Sequence, residues 1–143
     1  MKIRVFEESD EAAVVALWER CGLVRPWNVP ALDIQRKLDF QPDLFFVAED
    51  DGRVVGSAMA GYEGHRGWVN YLAVDPALQR GGLGGELMAF VEEKLTALGC
   101  PKINLQVRTS NQGVIDFYRT LGFEIDDAVS LGKRLDGLHK NEG

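Results

Sequence analysis

The sequence predicts a mixed α/β domain, a partly antiparallel and partly parallel sheet of about seven strands with about four helices on its two faces. Three observations predict it. Strand-like apolar runs joined by turns, such as Asp51-Gly52, fill residues 44–74. A strand, a glycine-rich loop, a long amphipathic helix and another strand then follow over residues 69–107, the order of a parallel crossover. Helical periodicity flanks this block at residues 13–21 and 114–121.

In chain order, Ile3 and Val5 alternate with Lys2 and Arg4, a short strand with one buried face. Ser9 or Asp10 can cap the helix that follows, whose apolar face is Ala13, Val14, Leu17, Trp18 and Cys21 and whose stop is Gly22. Residues 23–30 form a loop in which Pro26 and Pro30 bracket Trp27. Pro30 suits the first turn of a second helix, Ala31 to about Asp39, with Ile34 and Leu38 facing inward. Leu44 to Glu49 and Arg53 to Tyr62 are hairpin strands, with Gly56 marking a bulge or a close approach. Residues 63–67 turn the chain into a third strand, Trp68 to Val74. After the glycine loop, Leu83, Leu87, Val91, Leu95 and Leu98 recur at helical intervals until Gly99 and Pro101. Ile103 to Val107 is a strand. Thr109 with Gln112 fits a capping box, with Ser110 and Asn111 as alternative caps, for a helix carrying Val114, Ile115, Tyr118 and Leu121. Phe123 to Ile125 and Val129 to Leu135 are expected as two last strands. At 143 residues the chain is expected to hold one domain, residues 1–136, and a polar tail, residues 137–143.

Composition narrows the function classes. The net charge of −6 argues against non-specific binding to nucleic acid or to an anionic membrane. It favours a cationic or amine partner. No apolar run reaches membrane-spanning length, and residues 1–4 lack the apolar core of a signal peptide, so a cytoplasmic protein is expected. Cys21 and Cys100 have neither disulfide-framework nor metal spacing, and no metal is expected.

The most informative stretch is Gln79-Arg80-Gly81-Gly82-Leu83-Gly84-Gly85, placed between a strand end and a helix start. Glycine there weakens the helix but lets a ligand approach bare backbone. Helix N-terminal amides and the positive end of the dipole then make a seat for a phosphate. A P-loop would need Gly-Lys-Ser/Thr, which is absent. A dinucleotide fingerprint would need glycine where Leu87 stands.

What remains, Gln79-x-x-Gly82-x-Gly84 after Leu72-Ala73-Val74, resembles the acyl-CoA-binding motif of the GCN5-related N-acetyltransferases, the GNAT family. A second match is Asn111-Gln112-Gly113-Val114-Ile115-Asp116-Phe117-Tyr118-Arg119-Thr120-Leu121-Gly122-Phe123, similar to the family's last helix and strand. Arg25-Pro26-Trp27-Asn28 and Gly64-His65-Arg66-Gly67 further resemble a small bacterial subgroup of poorly defined acceptor. The order of elements is also that of the family, so the resemblance covers nearly the whole chain.

The resemblance implies acetyl-CoA as co-substrate, an amine acceptor and direct transfer within a ternary complex. It implies that the backbone of Leu72, Ala73 and Val74 pairs with pantetheine and that the Leu72 N–H holds the thioester carbonyl as an oxyanion contact. Gln79, Arg80, Gly81, Gly82, Leu83, Gly84 and Gly85 would line the pyrophosphate. Asn111 resembles a polar pantetheine contact, and Tyr118 the general acid that protonates the CoA thiolate. Asn111 could equally be only a helix cap, and Tyr118 a core aromatic. Many family members carry a general-base Glu on the strand before the loop; Val69-Asn70-Tyr71-Leu72-Ala73 has no carboxylate. Glu63, His65 and water relayed by Asn70 or Tyr71 are the alternatives. Trp27, Asn28 and Asn70 are candidate acceptor contacts. The sequence is also compatible with a homodimer. A competing expectation is a catalytically silent acyl-CoA sensor or partner module. The missing carboxylate speaks for it and Tyr118 against it.

Overall fold

The structure is a computed structural model, and it describes residues 1–137. Its elements are β1 (Lys2–Val5), α1 (Glu11–Arg20), α2 (Pro30–Asp39), β2 (Phe45–Asp50), β3 (Arg53–Tyr62), β4 (Gly67–Val74), α3 (Leu83–Ala97), β5 (Ile103–Asn104) and α4 (Gln112–Thr120). They fall into two compact units, Met1–Leu105 and the segment from Gln106 onward.

In the first unit the sheet runs β1-β2-β3-β4-β5, with the first four strands antiparallel and β5 parallel to β4. The parallel pair is the one produced by the α3 crossover, as strand–helix–strand order requires. Alternation assigns the faces. Phe45 stacks with Trp18 of α1, and Val47 and Met59 belong to the same buried cluster as Val14, Leu17 and Ile34. On the opposite face Phe46 meets Phe90 of α3 edge-on at 5.0 Å. Gly56 lies on that face too; a Cβ there would come within 3.0 Å of Leu87. The register also shifts between Ala48 and Glu49, so Gly56 marks both a close approach and a bulge. Mixed pairing and helices on both faces of the sheet match the sequence reading.

The strand count differs from it. Among the described residues the sheet has five strands, and β5 ends at Asn104 instead of Val107. Residues 123–125 and 129–135 form no strand; Val129, Leu131 and Leu135 are 86%, 92% and 90% exposed. Period-two alternation gives a segment the faces of a strand, but only a ladder partner makes it one. Of the expected tail, residues 138–143 lie outside the described residues.

Two ties hold the frame. Arg4 on β1 donates to both carboxylate oxygens of Asp10, at 2.8 and 2.9 Å, and to Glu49 on β2 at 2.8 Å. Asp10 also accepts the Glu7 N–H at 2.8 Å, closing a capping box on the short 3-10 turn Glu8–Asp10; its side chain does not cap α1 as expected, because both oxygens are taken by Arg4 and Glu7. The guanidinium holds the Asp10 carboxyl below its usual range. At the other end β3 outruns β2, because the register between them ends at Phe45 opposite Met59. The exposed backbone of β3 is met by side chains instead. The Gln41 amide donates to the Tyr62 carbonyl at 2.7 Å and accepts the Tyr62 N–H at 2.9 Å. The Lys37 ammonium donates to the Ala60 carbonyl, and burial pushes its pKa down to about 8.

Candidate active site

The glycine loop leaves β4 through a short 3-10 turn, Pro76–Leu78, capped by the Asp75 carboxylate on the Ala77 N–H at 3.0 Å. Arg20 of α1 pairs with the other Asp75 oxygen at 3.0 Å and anchors the turn. Gln79 folds back, its side-chain N–H donating to the Val74 carbonyl at 3.1 Å. The same carbonyl accepts the Cys21 S–H at 3.3 Å, and burial pushes that thiol up. Arg80 and Gly82 then take positive φ values, 71° and 89°. Gly82 is the N-cap of α3, offers no side-chain acceptor and has open space around the position of a Cβ. The Glu86 N–H is the first to close on a helical carbonyl, that of Gly82 at 3.0 Å. The amides of Leu83, Gly84 and Gly85 precede it and have no carbonyl to reach within the helix. Uncapped amides, the dipole and an open glycine fit a diphosphate.

Upstream, β4 is broken by a bulge. Ser57 pairs with Ala73 and Met59 with Asn70, so Tyr71 and Leu72 together oppose only Ala58. Tyr71 has φ 52°, a left-handed conformation costly for an aromatic residue. Three contacts hold it there. Its ring stacks on Trp18 at 3.8 Å, and its carbonyl accepts the Ser57 hydroxyl at 2.8 Å. Its own hydroxyl donates to Asp33 of α2 at 2.6 Å. Ser57 in turn accepts the Trp18 indole N–H at 2.9 Å. Burial and the Asp33 bond push the Tyr71 hydroxyl well above its ordinary pKa. A bulge takes a residue out of the ladder, and neither Tyr71 nor Leu72 has a partner in the register with β3.

Glu63 accepts the amides of His65, at 2.7 Å, and Arg66, and these bonds lower its pKa. It is the clasp of the 63–66 turn, on which His65 is exposed. Asn28 closes a turn with Arg25, accepting the Arg25 N–H at 3.3 Å; Trp27 within that turn is half-buried. Asn70 is exposed on β4. In the second unit, Asn111 is the observed cap of α4, accepting the Val114 N–H at 3.3 Å. Tyr118 is buried, edge-on to Phe117 and Phe123, and burial pushes its hydroxyl up to about 12, so it keeps its proton at neutral pH. An open cleft of about 470 Å³ in this unit is lined by Arg119, Gly122, Phe123, Glu124 and Ile125, none of them a predicted site residue. Sequence reasoning missed the Trp18–Ser57–Tyr71–Asp33 chain of contacts. The available signal was Ser57, a polar residue in the apolar run from Val54 to Ala60.

Comparison with known proteins identifies the family. The sequence model of the Acetyltransferase (GNAT) family matches residues 11–123. An acetyltransferase of Pectobacterium atrosepticum is 53% identical over 135 residues, covering 94% of this chain and 96% of that protein. Among solved structures, the ribosomal-protein-S18-alanine N-acetyltransferase of Escherichia coli is similar with a TM-score of 0.73 and 25% identity, over 86% of this chain and 77% of that one. Ard1 of Thermoplasma volcanium gives 0.72 and 26%, over 87% and 83%. On these grounds the chain belongs to the GNAT acetyltransferase family.

Proposed function

We propose that the chain is a cytoplasmic N-acetyltransferase that moves an acetyl group from acetyl-CoA directly to a primary amine, acting as one catalytic domain over residues 1–136. The observation that carries the reading is the open α3 N-terminus behind Gly82, on the same unit as the β4 bulge at Tyr71–Leu72. Acetyl-CoA supplies the activated acyl group. Gln79 to Gly85 would seat its diphosphate, and Leu72 to Val74 its pantetheine. The Leu72 N–H would stabilise the oxyanion. Asn111 would add a side-chain contact from α4, its oxygen shared with the cap. Tyr118, protonated at neutral pH, would donate to the departing thiolate. His65 is preferred to Glu63 as the base, because one Glu63 oxygen accepts two amides and these bonds hold its carboxyl below the usual range. Trp27, Asn28 and Asn70 are proposed for the acceptor side.

The acceptor class is a primary amine on a small molecule or a protein N-terminus or lysine. A protein N-terminus draws support from the similar S18-alanine enzyme, and the net charge of −6 suits a cation. Family membership does not favour the silent sensor reading.

Thermal shift and thiol release test the proposal. Acetyl-CoA should raise Tm and ATP or NAD should not; equal shifts would remove the loop assignment. Tyr118→Phe should lower kcat by about 10²–10⁴-fold, the range of general acid catalysis, with acetyl-CoA affinity little changed. Undiminished turnover would end the acid role.

A further inference from the structure

We infer that Asp33 is a positioning residue for the oxyanion amide, acting through Tyr71. The inference rests on the reading of the Leu72 N–H given above. Tyr71 directly precedes Leu72 and holds a φ of 52° that an unconstrained aromatic residue would leave. A backbone under strain persists only where its surroundings over-determine it. Here the ring is fixed by Trp18, the carbonyl by Ser57 and the hydroxyl by Asp33. Trp18 and Ser57 are fully buried parts of the core, so two of the three restraints come with the fold. Asp33 is different. It sits on α2, its side chain is 27% exposed, and among the described residues its second oxygen pairs with the exposed Arg36 at 3.6 Å. Such an i,i+3 surface pair contributes little to stability. The bond from the Tyr71 hydroxyl, at 2.6 Å, is the short contact Asp33 makes. It ties the outer end of the Tyr71 side chain to α2 and so limits rotation of the peptide that carries the Leu72 N–H. An oxyanion donor works only when aimed at the position the oxyanion will occupy. Asp33 therefore sets the aim of an amide it does not touch, and it does so by accepting a hydrogen bond, not by its charge.

The test uses the full chain with Asp33→Ala, Asp33→Asn and Tyr71→Phe, read by acetyl-CoA kinetics and by the amide resonance of Leu72. Asp33→Ala and Tyr71→Phe should each lower kcat about 10-fold, short of the about 10²–10³ for outright loss of an oxyanion donor. KM for acetyl-CoA should change less than about threefold, and the double variant should lose no more than either single one. Asp33→Asn, which still accepts the hydroxyl, should keep wild-type kcat. The Leu72 resonance should move in Asp33→Ala and Tyr71→Phe and stay in Asp33→Asn. An unmoved Leu72 resonance in Asp33→Ala overturns the inference whether or not turnover is detected. So does an Asp33→Asn variant as slow as Asp33→Ala, since charge would then be what matters. A wild-type Leu72 resonance indifferent to acetyl-CoA would instead overturn the oxyanion reading, with the Asp33 effect on that resonance still measurable.

Discussion

Ser57→Ala should be the most damaging single-atom deletion in the first unit. The hydroxyl is fully buried and bridges two groups, accepting the Trp18 indole N–H at 2.9 Å and donating to the Tyr71 carbonyl at 2.8 Å. Trp18 is itself fully buried, so water cannot replace the lost acceptor. Stranding a buried donor costs about 1–3 kcal/mol, and the second bond adds about 1 kcal/mol. The expected loss is thus about 2–4 kcal/mol. Unfolding entropy of about 2.1 cal/mol/K per residue gives about 0.3 kcal/mol/K for this chain. The loss therefore corresponds to a Tm drop of about 7–13 °C in a circular dichroism melt. A double-mutant cycle with Trp18→Phe isolates the cause: removing the stranded N–H should recover at least about 1 kcal/mol of coupling. A drop under about 3 °C, or strict additivity in the cycle, would refute the reasoning.

The loop and the β1 tie give two more expectations. Gly82→Glu should abolish acetyl-CoA binding, measured by titration calorimetry, because it sets an anion at the proposed diphosphate seat. Since a Cβ there meets open space but φ is 89°, the fold should survive at a cost of about 1–2 kcal/mol; retained affinity would disprove the seat. The Asp10 pKa is lowered in the folded protein, so its pair with Arg4 contributes stability above the ordinary carboxylate pKa of about 4 and loses it as pH falls through the lower folded value. Asp10→Asn should cost about 1.5–3 kcal/mol at neutral pH, the range of a charged hydrogen bond. It should also flatten the acid limb of the Tm–pH curve, and an unchanged limb would assign that stability elsewhere.

Local signals in the sequence hold in the structure. The Asp51-Gly52 hairpin turn, the stops at Gly22, Gly99 and Gly122, and Pro30 opening α2 are all present, because each depends on the φ preference of a residue or its immediate neighbours. The glycine loop that opens α3 at Gly82 was legible for the same reason. What failed locally was the pair of last strands, where alternation stood in for a partner. The bulge was illegible for the opposite reason. Tyr71 gives no hint of a positive φ, which is enforced by Trp18, Ser57 and Asp33 from 53, 14 and 38 positions away. Glu63 shows a third case: its two bonds to turn amides depend on the local backbone path and carry no mark in the composition.

Gln41 carries a consequence beyond the site. Where β3 runs past the start of β2, the Tyr62 amide and carbonyl would offer a foreign chain a template for adding a strand. One side-chain amide satisfies both groups, and Gln41 accepts a φ of 54° to reach them. Lys37 closes the next carbonyl along with a cation that disfavours apolar neighbours. Two side chains thus occupy the backbone groups to which an added strand would pair at this margin, and their removal would open it to intermolecular pairing.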